Sequence, residues 1–349
     1  MKRQIPLIIL LSILIFACGK SEQKRNESTQ PLANPHGEAN AIYYWKTVLD
    51  ADSVDIEFIR THKIKRAYIR FFDVVKDESP VAKDIVIPNA TLKVKTPLPV
   101  DEIIPTVYIT LNAIRNMEDV DKWAELIVER VGNMNKYNAF GELHEIQLDC
   151  DWTADTEDTY FRLCRAVKER MVSMDSTNCV SSTIRLHQLA KPAPPVDYGV
   201  LMLYNTGSFE NQEEVNSILD VEDVTPYVKK LAKYPLPLDF AYPSYSWDLL
   251  FRNNRFGGLL RDDITEDSNI VERIEENKYK LRKDTIINET MLRMGDVIRR
   301  ETSLYSTIMN VKQIIEKEYG DRSHSNIIYH LDSSNLSKYS YDEIENIYK

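Results

Sequence analysis

The chain is 349 residues long and carries 54 acidic against 44 basic side chains, a net charge of −10. That balance gives no electrostatic reason to bind nucleic acid and argues against a basic membrane-binding patch. Its four cysteines show no Cys-x-x-Cys or Cys/His spacing, so no zinc site, and no other metal or cofactor, is expected.

At the start, Lys2 and Arg3 precede an apolar run from Ile5 to Phe16, followed by Ala17 and Cys18. A basic end, a short apolar run and a small residue before a cysteine describe a secretory signal. The run is too short for the ~20 residues that span a bilayer. "IFAC" resembles a bacterial lipobox, in which the cysteine becomes the lipidated first residue; Ile15 and Phe16 depart from its common pattern. The expectation is a signal peptide over 1–17, a lipidated Cys18 opening a polar tether over 18–40, and a folded domain over 41–349. Acyl chains on Cys18 would hold the protein on a membrane of the bacterial cell envelope. An ordinary cleaved signal with an incidental Cys18 is the alternative. Cys150, Cys164 and Cys179 read as small core residues.

Beyond the tether, strand-like and helix-like stretches alternate. "NAIYYWKTVL" (Asn40–Leu49) reads as strand one and "DSVDIEFIRTH" as a helix. "IKRAYIRFFDV" (Ile64–Val74) is strand two, and an irregular, proline-containing stretch follows. Strand three lies within Glu102–Ile114. "VDKWAELIVERVGNMNKY" (Val120–Tyr137) has the apolar spacing of a helix. "LHEIQLDCDW" is strand four, with Ile146, Leu148 and Cys150 on one face and Gln147, Asp149 and Asp151 on the other. A helix over Thr156–Met174 has acids near its start and basic residues in its second half, as the helix dipole favours. Strands five, six and seven fall in Cys179–Leu189, Tyr198–Gly207 and Leu236–Leu250, with a helix over Val221–Tyr234. A polar insertion over 251–300 breaks the rhythm. A helix ending at Gly320, strand eight in Ser325–Leu336 and a terminal helix complete the chain. Eight strands alternating with helices predict an α/β fold, a (β/α)₈ TIM barrel with a long insertion between strands seven and eight. A doubly wound open sheet is the competitor, but no glycine-rich phosphate loop follows strand one.

In such a barrel the working residues lie at the carboxyl ends of the strands. Those ends supply Arg70 and Asp73; Asp149, Asp151 and Trp152; Arg185 and His187; Tyr204 and Asn205; Tyr242, Tyr245 and Trp247; and Asp332. Each residue alone has a structural explanation: paired acids bind arginines, and aromatic rings pack. Together they suit a sugar, whose C–H face takes an aromatic ring and whose hydroxyls take Asp, Asn, Arg and His. Two acids alternating on one strand face sit roughly 6–7 Å apart at Cα, from a rise of ~3.3 Å per residue. That is close enough for one charge to raise the other's pKa and to keep an acid protonated.

"LDCDWT" (Leu148–Thr153) resembles the strand-four motif of chitinase-type family 18 glycosidases, D-x-x-D-x-D-x-E. Asp149, Asp151 and Trp152 align with it. The motif's first Asp falls on Ile146, and its proton-donating Glu falls on Thr153, so that family's mechanism does not carry over. "IQLDCDW", "VLMLYNTGSF", "DFAYPSYSW" and "MGDVIRRE" also resemble a family of bacterial proteins of unknown function, domain-of-unknown-function family 3142. That resemblance spans most of the chain after the tether and implies a glycosidase-related barrel without a defined reaction.

The expectation is therefore an exported, glycoside-hydrolase-like lipoprotein that acts on or binds a glycan. If it is catalytic, Asp151 is the acid, Asp149 tunes it, and Asp332 or Asp73 supplies the second carboxylate. Tyr204, Tyr245 and Trp247 form the sugar platform, with Arg185 and His187 on hydroxyls. The alternatives are a non-catalytic glycan-binding protein and a partner in a cell-envelope protein assembly.

Overall fold

The computed structural model describes residue 35 and residues 37–79, 86–260, 264–287 and 290–349; Cys18 and the signal lie outside the described residues. Eight parallel strands form a closed barrel: β1 (Ala41–Tyr44), β2 (Arg66–Lys76), β3 (Glu102–Ile109), β4 (Glu145–Asp149), β5 (Cys179–Arg185), β6 (Tyr198–Met202), β7 (Leu238–Pro243) and β8 (Asn326–Tyr329). Closure comes from β1, which pairs with β2 on one side and β8 on the other. The barrel expected from the alternation of strands and helices is the fold observed.

The helices are α1 (Ser53–Thr61), α2 (Leu111–Arg115), α3 (Val120–Tyr137), α4 (Glu157–Met174), α5 (Val221–Val228), α6 (Tyr305–Tyr319), α7 (Ser333–Leu336) and α8 (Tyr341–Tyr348). Local chemistry sets their ends. Asp52 and Ser340 form capping boxes at α1 and α8, and α6 stops at Gly320, whose φ of 71° suits a residue without Cβ.

Strand alternation divides the side chains into two populations. Ile146, Leu148 and the following Cys150 pack outward in the layer beneath the helices, with Ile69, Leu163 and Ile184. Tyr43, Tyr68, Ile104, Tyr198, Val200 and Ala241 pack in a second, inner cluster. The lumen also holds hydrogen-bonded polar side chains. Gln147 accepts from Tyr43 Oη at 2.8 Å and from Thr106 Oγ1 at 3.2 Å. Glu145 accepts from Tyr198 Oη at 2.8 Å and from Ser181. At Gly199 on β6, an added Cβ would lie 2.7 Å from Ile184 Cγ1 on β5, so only glycine permits this close approach.

Several boundaries differ from the sequence expectation. Strand one stops at Tyr44, and Val48–Asp50 forms a separate short pairing with Lys93–Thr96. The proline-containing stretch after β2 holds Val86–Asn89, which pairs antiparallel with β2. Strand five ends at Arg185, and a 3₁₀ turn takes Leu186–Ala190. Among its described residues the insertion forms a five-stranded antiparallel sheet and a separate pairing of Thr285–Ile287 with Thr290–Leu292, over a small core of Leu250, Ile264, Val271, Leu281, Leu292 and Ile298. Its sheet takes in Ser246–Arg252, which pairs with Val297–Thr302. Trp247 therefore belongs to the insertion sheet and not to β7.

Candidate functional site

The carboxyl ends of β4 and β5 meet at a charge cluster. Asp149, the last residue of β4, is buried in the lumen. It accepts from Thr183 Oγ1 at 2.5 Å and from Arg185 Nη2 at 3.2 Å. Arg185 Nε donates to Asp151. One guanidinium thus bridges both acids of the strand-four motif. Burial pushes the Asp149 carboxyl above the usual carboxylate range; Arg185 pulls it down, and the charge of Asp151 adds to the rise.

Aromatic rings surround the cluster. Tyr204, just past β6, stacks on Tyr329 of β8 with centroids 4.3 Å apart. Arg185 lies over the Tyr204 ring, 6.0 Å from its centroid. Tyr329 also meets Trp45 at 5.9 Å and Tyr245 at 6.0 Å. Tyr245 meets Trp247 at 5.4 Å, and its hydroxyl donates to Asn205 Oδ1 at 2.6 Å. Asn205 itself is exposed, in a left-handed turn at φ 52°. Burial, then the charges of Asp151 and Asp149, push the Tyr108 phenol up to about 12.

Other residues expected at the mouth are committed elsewhere. Arg70 holds Asp73 through two hydrogen bonds and covers Trp45 at 5.5 Å. Asp332 caps α7 and pairs with Lys46 at 2.9 Å; although burial opposes it, Lys46 and Ser334 hold its carboxyl down at about 2. Of the four mouth carboxylates, Asp151 is 45 % exposed, against 4 % for Asp149, 8 % for Asp73 and 21 % for Asp332. Solvent and a ligand reach Asp151 first.

Three placements correct the sequence reading. Trp152 is buried against Tyr160 and Phe161 in the helix-side core and offers no face to the mouth. Tyr242 is also wholly buried on that side, because the inward position on β7 belongs to Ala241. His187 sits in the 3₁₀ turn, off β5, and burial lowers its pKa toward the neutral imidazole. Conversely, Trp45, Tyr108 and Tyr329 were missed. Their signal was an aromatic residue at the end of a strand, in "IYYW", "TVYI" and "IIYH". A cavity of about 940 Å³ on the barrel flank, between Val86–Asn89 and α3, contains none of the expected residues.

No family model matches the chain, and no curated protein matches it. Solved structures do. A chitinase from Bacteroides thetaiotaomicron is 10% identical, with a TM-score of 0.51 over 89% of this chain and 96% of the other. The spore cortex-lytic enzyme SleL of Bacillus cereus is 14% identical, with a TM-score of 0.49 over 90% and 74%. A family 18 N-acetylglucosaminidase from Paenibacillus barengoltzii is 13% identical, with a TM-score of 0.48 over 89% and 99%. The chain shares a closed (β/α)₈ barrel with the Bacteroides thetaiotaomicron chitinase. At these identities the likeness concerns fold alone.

In the strand-four resemblance read from the sequence, the acid's position falls on Thr153. Its hydroxyl donates to Asp155, which pairs with Arg115 at 2.8 Å. The Arg115 hydrogen bond, with that of Thr153, holds the exposed Asp155 carboxyl down at about 2, so it is a poor proton donor near neutrality.

Proposed function

We propose that this chain is a glycan-binding lipoprotein of the bacterial cell envelope, built on a glycosidase barrel and holding its glycan at the mouth without cleaving it. The observation that carries this reading is Arg185 bridging Asp149 and Asp151 while Thr153 stands in the acid's place. Hydrolysis needs a protonated acid beside the leaving oxygen and usually a second carboxylate. Here Asp73 and Asp332 are each tied to a cation. The partly exposed rings of Trp45, Tyr204 and Tyr329, backed by the buried Tyr245, are suited to meet a sugar face. Asp151, Asn205 and Tyr108 supply hydroxyl partners. Lipidation at Cys18 and membership of domain-of-unknown-function family 3142 belong to this proposal.

The test is a glycan array and a hydrolysis screen on the detergent-solubilised protein. Chitin-, cellulose- and peptidoglycan-derived oligosaccharides are suitable probes. Binding with no released product is the expected result. An absence of binding to every glycan sinks the proposal.

A second reading, hydrolysis with Asp151 as acid, has one observation in its favour. Asp151 is the exposed member of the cluster, beside a buried Asp149 that titrates high. Turnover that disappears in Asp151→Asn while binding persists would establish that reading instead.

A further inference from the structure

The barrel flank carries a second recess. The cavity of about 940 Å³ lies between α3 and the segment over 86–94 and shares no residue with the mouth. Its volume is that of a small-molecule site, ~300–1,000 Å³. α3 lines it from Lys122 to Asn138, about 24 Å at ~1.5 Å per residue, so the recess is a groove along the helix. Trp123, Leu126, Arg130, Met134 and Tyr137 follow one another at three- or four-residue steps and form that wall. Val86, Leu92 and Val94 supply apolar surface facing it. The core does not use this stripe fully. Ala124, Val128 and Val131 are buried and α3 packs on α4, whereas Leu126 is 39 % exposed and Tyr137 90 % exposed.

The charge of the groove runs against that of the chain. Lys93, Lys122 and Arg130 line it with Glu129 as the single acid among the described residues, while the whole chain stands at −10. Arg130 is already set in place. Its guanidinium lies over the Phe72 ring at 5.0 Å, and Nη2 donates to Thr91 Oγ1 at 2.8 Å. Its Nε is buried without a hydrogen-bond partner. An unmet buried donor on a cation costs free energy that an anionic acceptor recovers.

A peptide strand is a poor occupant. Among the described residues Val86–Asn89 pairs only with β2 and leaves its other edge open, but Pro88 has no N–H to offer an incoming strand. A hydrocarbon chain needs no backbone partner. We propose that the groove binds a long-chain fatty acid, with its hydrocarbon chain against Trp123, Leu126 and Val94 and its carboxylate on Arg130. Lys93 and Lys122 add positive potential around that head. The proposal is independent of the glycan reading, since no residue of the mouth takes part.

The experiment uses the full-length protein in phosphatidylcholine nanodiscs and a palmitate carrying a diazirine on its chain. After irradiation, peptide mapping by mass spectrometry locates the label. It should fall on the peptides holding 86–94 and 122–138. Unlabelled palmitate should compete it away, and hexadecanol, the same chain without the charge, should need about tenfold more. Leu126→Asp places a carboxylate in the path of the chain at an exposed position, so the fold survives. It should cut labelling of the groove about tenfold without shifting thermal unfolding. Lys122→Gln should cut it about threefold, the scale of one exposed charge pair, and leave the affinity for hexadecanol unchanged. Labelling confined to other segments, or unchanged in Leu126→Asp, overturns the site. Equal competition by palmitate and hexadecanol overturns the fatty acid as occupant. A dimer of the unliganded protein that Leu126→Asp dissolves also overturns it and makes the groove an interface between copies.

Discussion

Arg185 Nη2 lies 3.2 Å from Asp149 Oδ1 while its Nε serves Asp151. The same guanidinium therefore neutralises a buried carboxylate and restrains a half-exposed one. Removing it leaves a buried acid without its cation. Arg185→Met should cost about 3–5 kcal/mol, the range for breaking a buried pair by deleting one partner. The double variant Arg185→Met with Asp149→Asn should recover much of that loss, because no buried charge is then left over. Thermal unfolding of the three proteins measures both effects.

Asp149 should titrate above the ordinary carboxylate value of about 3.9, because burial outweighs Arg185. The folded state then holds the proton more tightly than the unfolded chain. Its contribution to stability is present below the unfolded pKa and lost as pH rises through the folded one. Asp149→Asn should flatten the stability curve in that window. Carbon-13 NMR of the aspartate carboxyls locates the midpoint directly, and a midpoint at or below the ordinary value contradicts the assignment.

Asp332 behaves oppositely. Lys46 and Ser334 hold its carboxyl at about 2. Its contribution is present above the unfolded pKa and is lost as pH falls through about 2. Asp332→Asn retains an N-cap residue and should cost little, whereas Asp332→Ala should cost ~1 kcal/mol through the lost cap. Neither variant should change glycan affinity. A large loss of binding or turnover in Asp332→Asn would assign this carboxylate to the site chemistry.

Cys18→Ser should release the protein from the membrane fraction or leave it unprocessed. The expectation comes from the apolar run ending at Ala17–Cys18 and the polar tether after it. Unchanged mass together with unchanged fractionation would remove the lipid anchor from the proposal.

The barrel was legible because inward and outward residues alternate on its strands, and β4 shows the pattern plainly with Ile146 and Leu148 opposite Gln147 and Asp149. The mouth was legible in part, because strand ends locate it. What failed was the last residue or two of each strand. Arg185 ends β5, so the alternation no longer governs His187, whereas Trp152 continues the outward series Ile146, Leu148 and Cys150 into the outer core and was legible from it. Tyr242 was within reach, since Ala241 and Tyr242 must face opposite sides. The insertion was opaque for another reason. Strands such as Val271–Arg273 and Thr285–Ile287 are three residues long, too short for periodicity to register.

β4 carries Glu145, Gln147 and Asp149 on one edge and Ile146 and Leu148 on the other, all buried. A shift of one residue against its neighbours would push three polar groups under the helices and two aliphatic ones into the positions where Glu145, Gln147 and Asp149 make their hydrogen bonds. Each stranded polar group would cost roughly 1–3 kcal/mol. The strand therefore works as a ratchet tooth for assembly: its polar edge admits one alignment of the closing barrel, and in the same movement delivers Asp149 to Arg185.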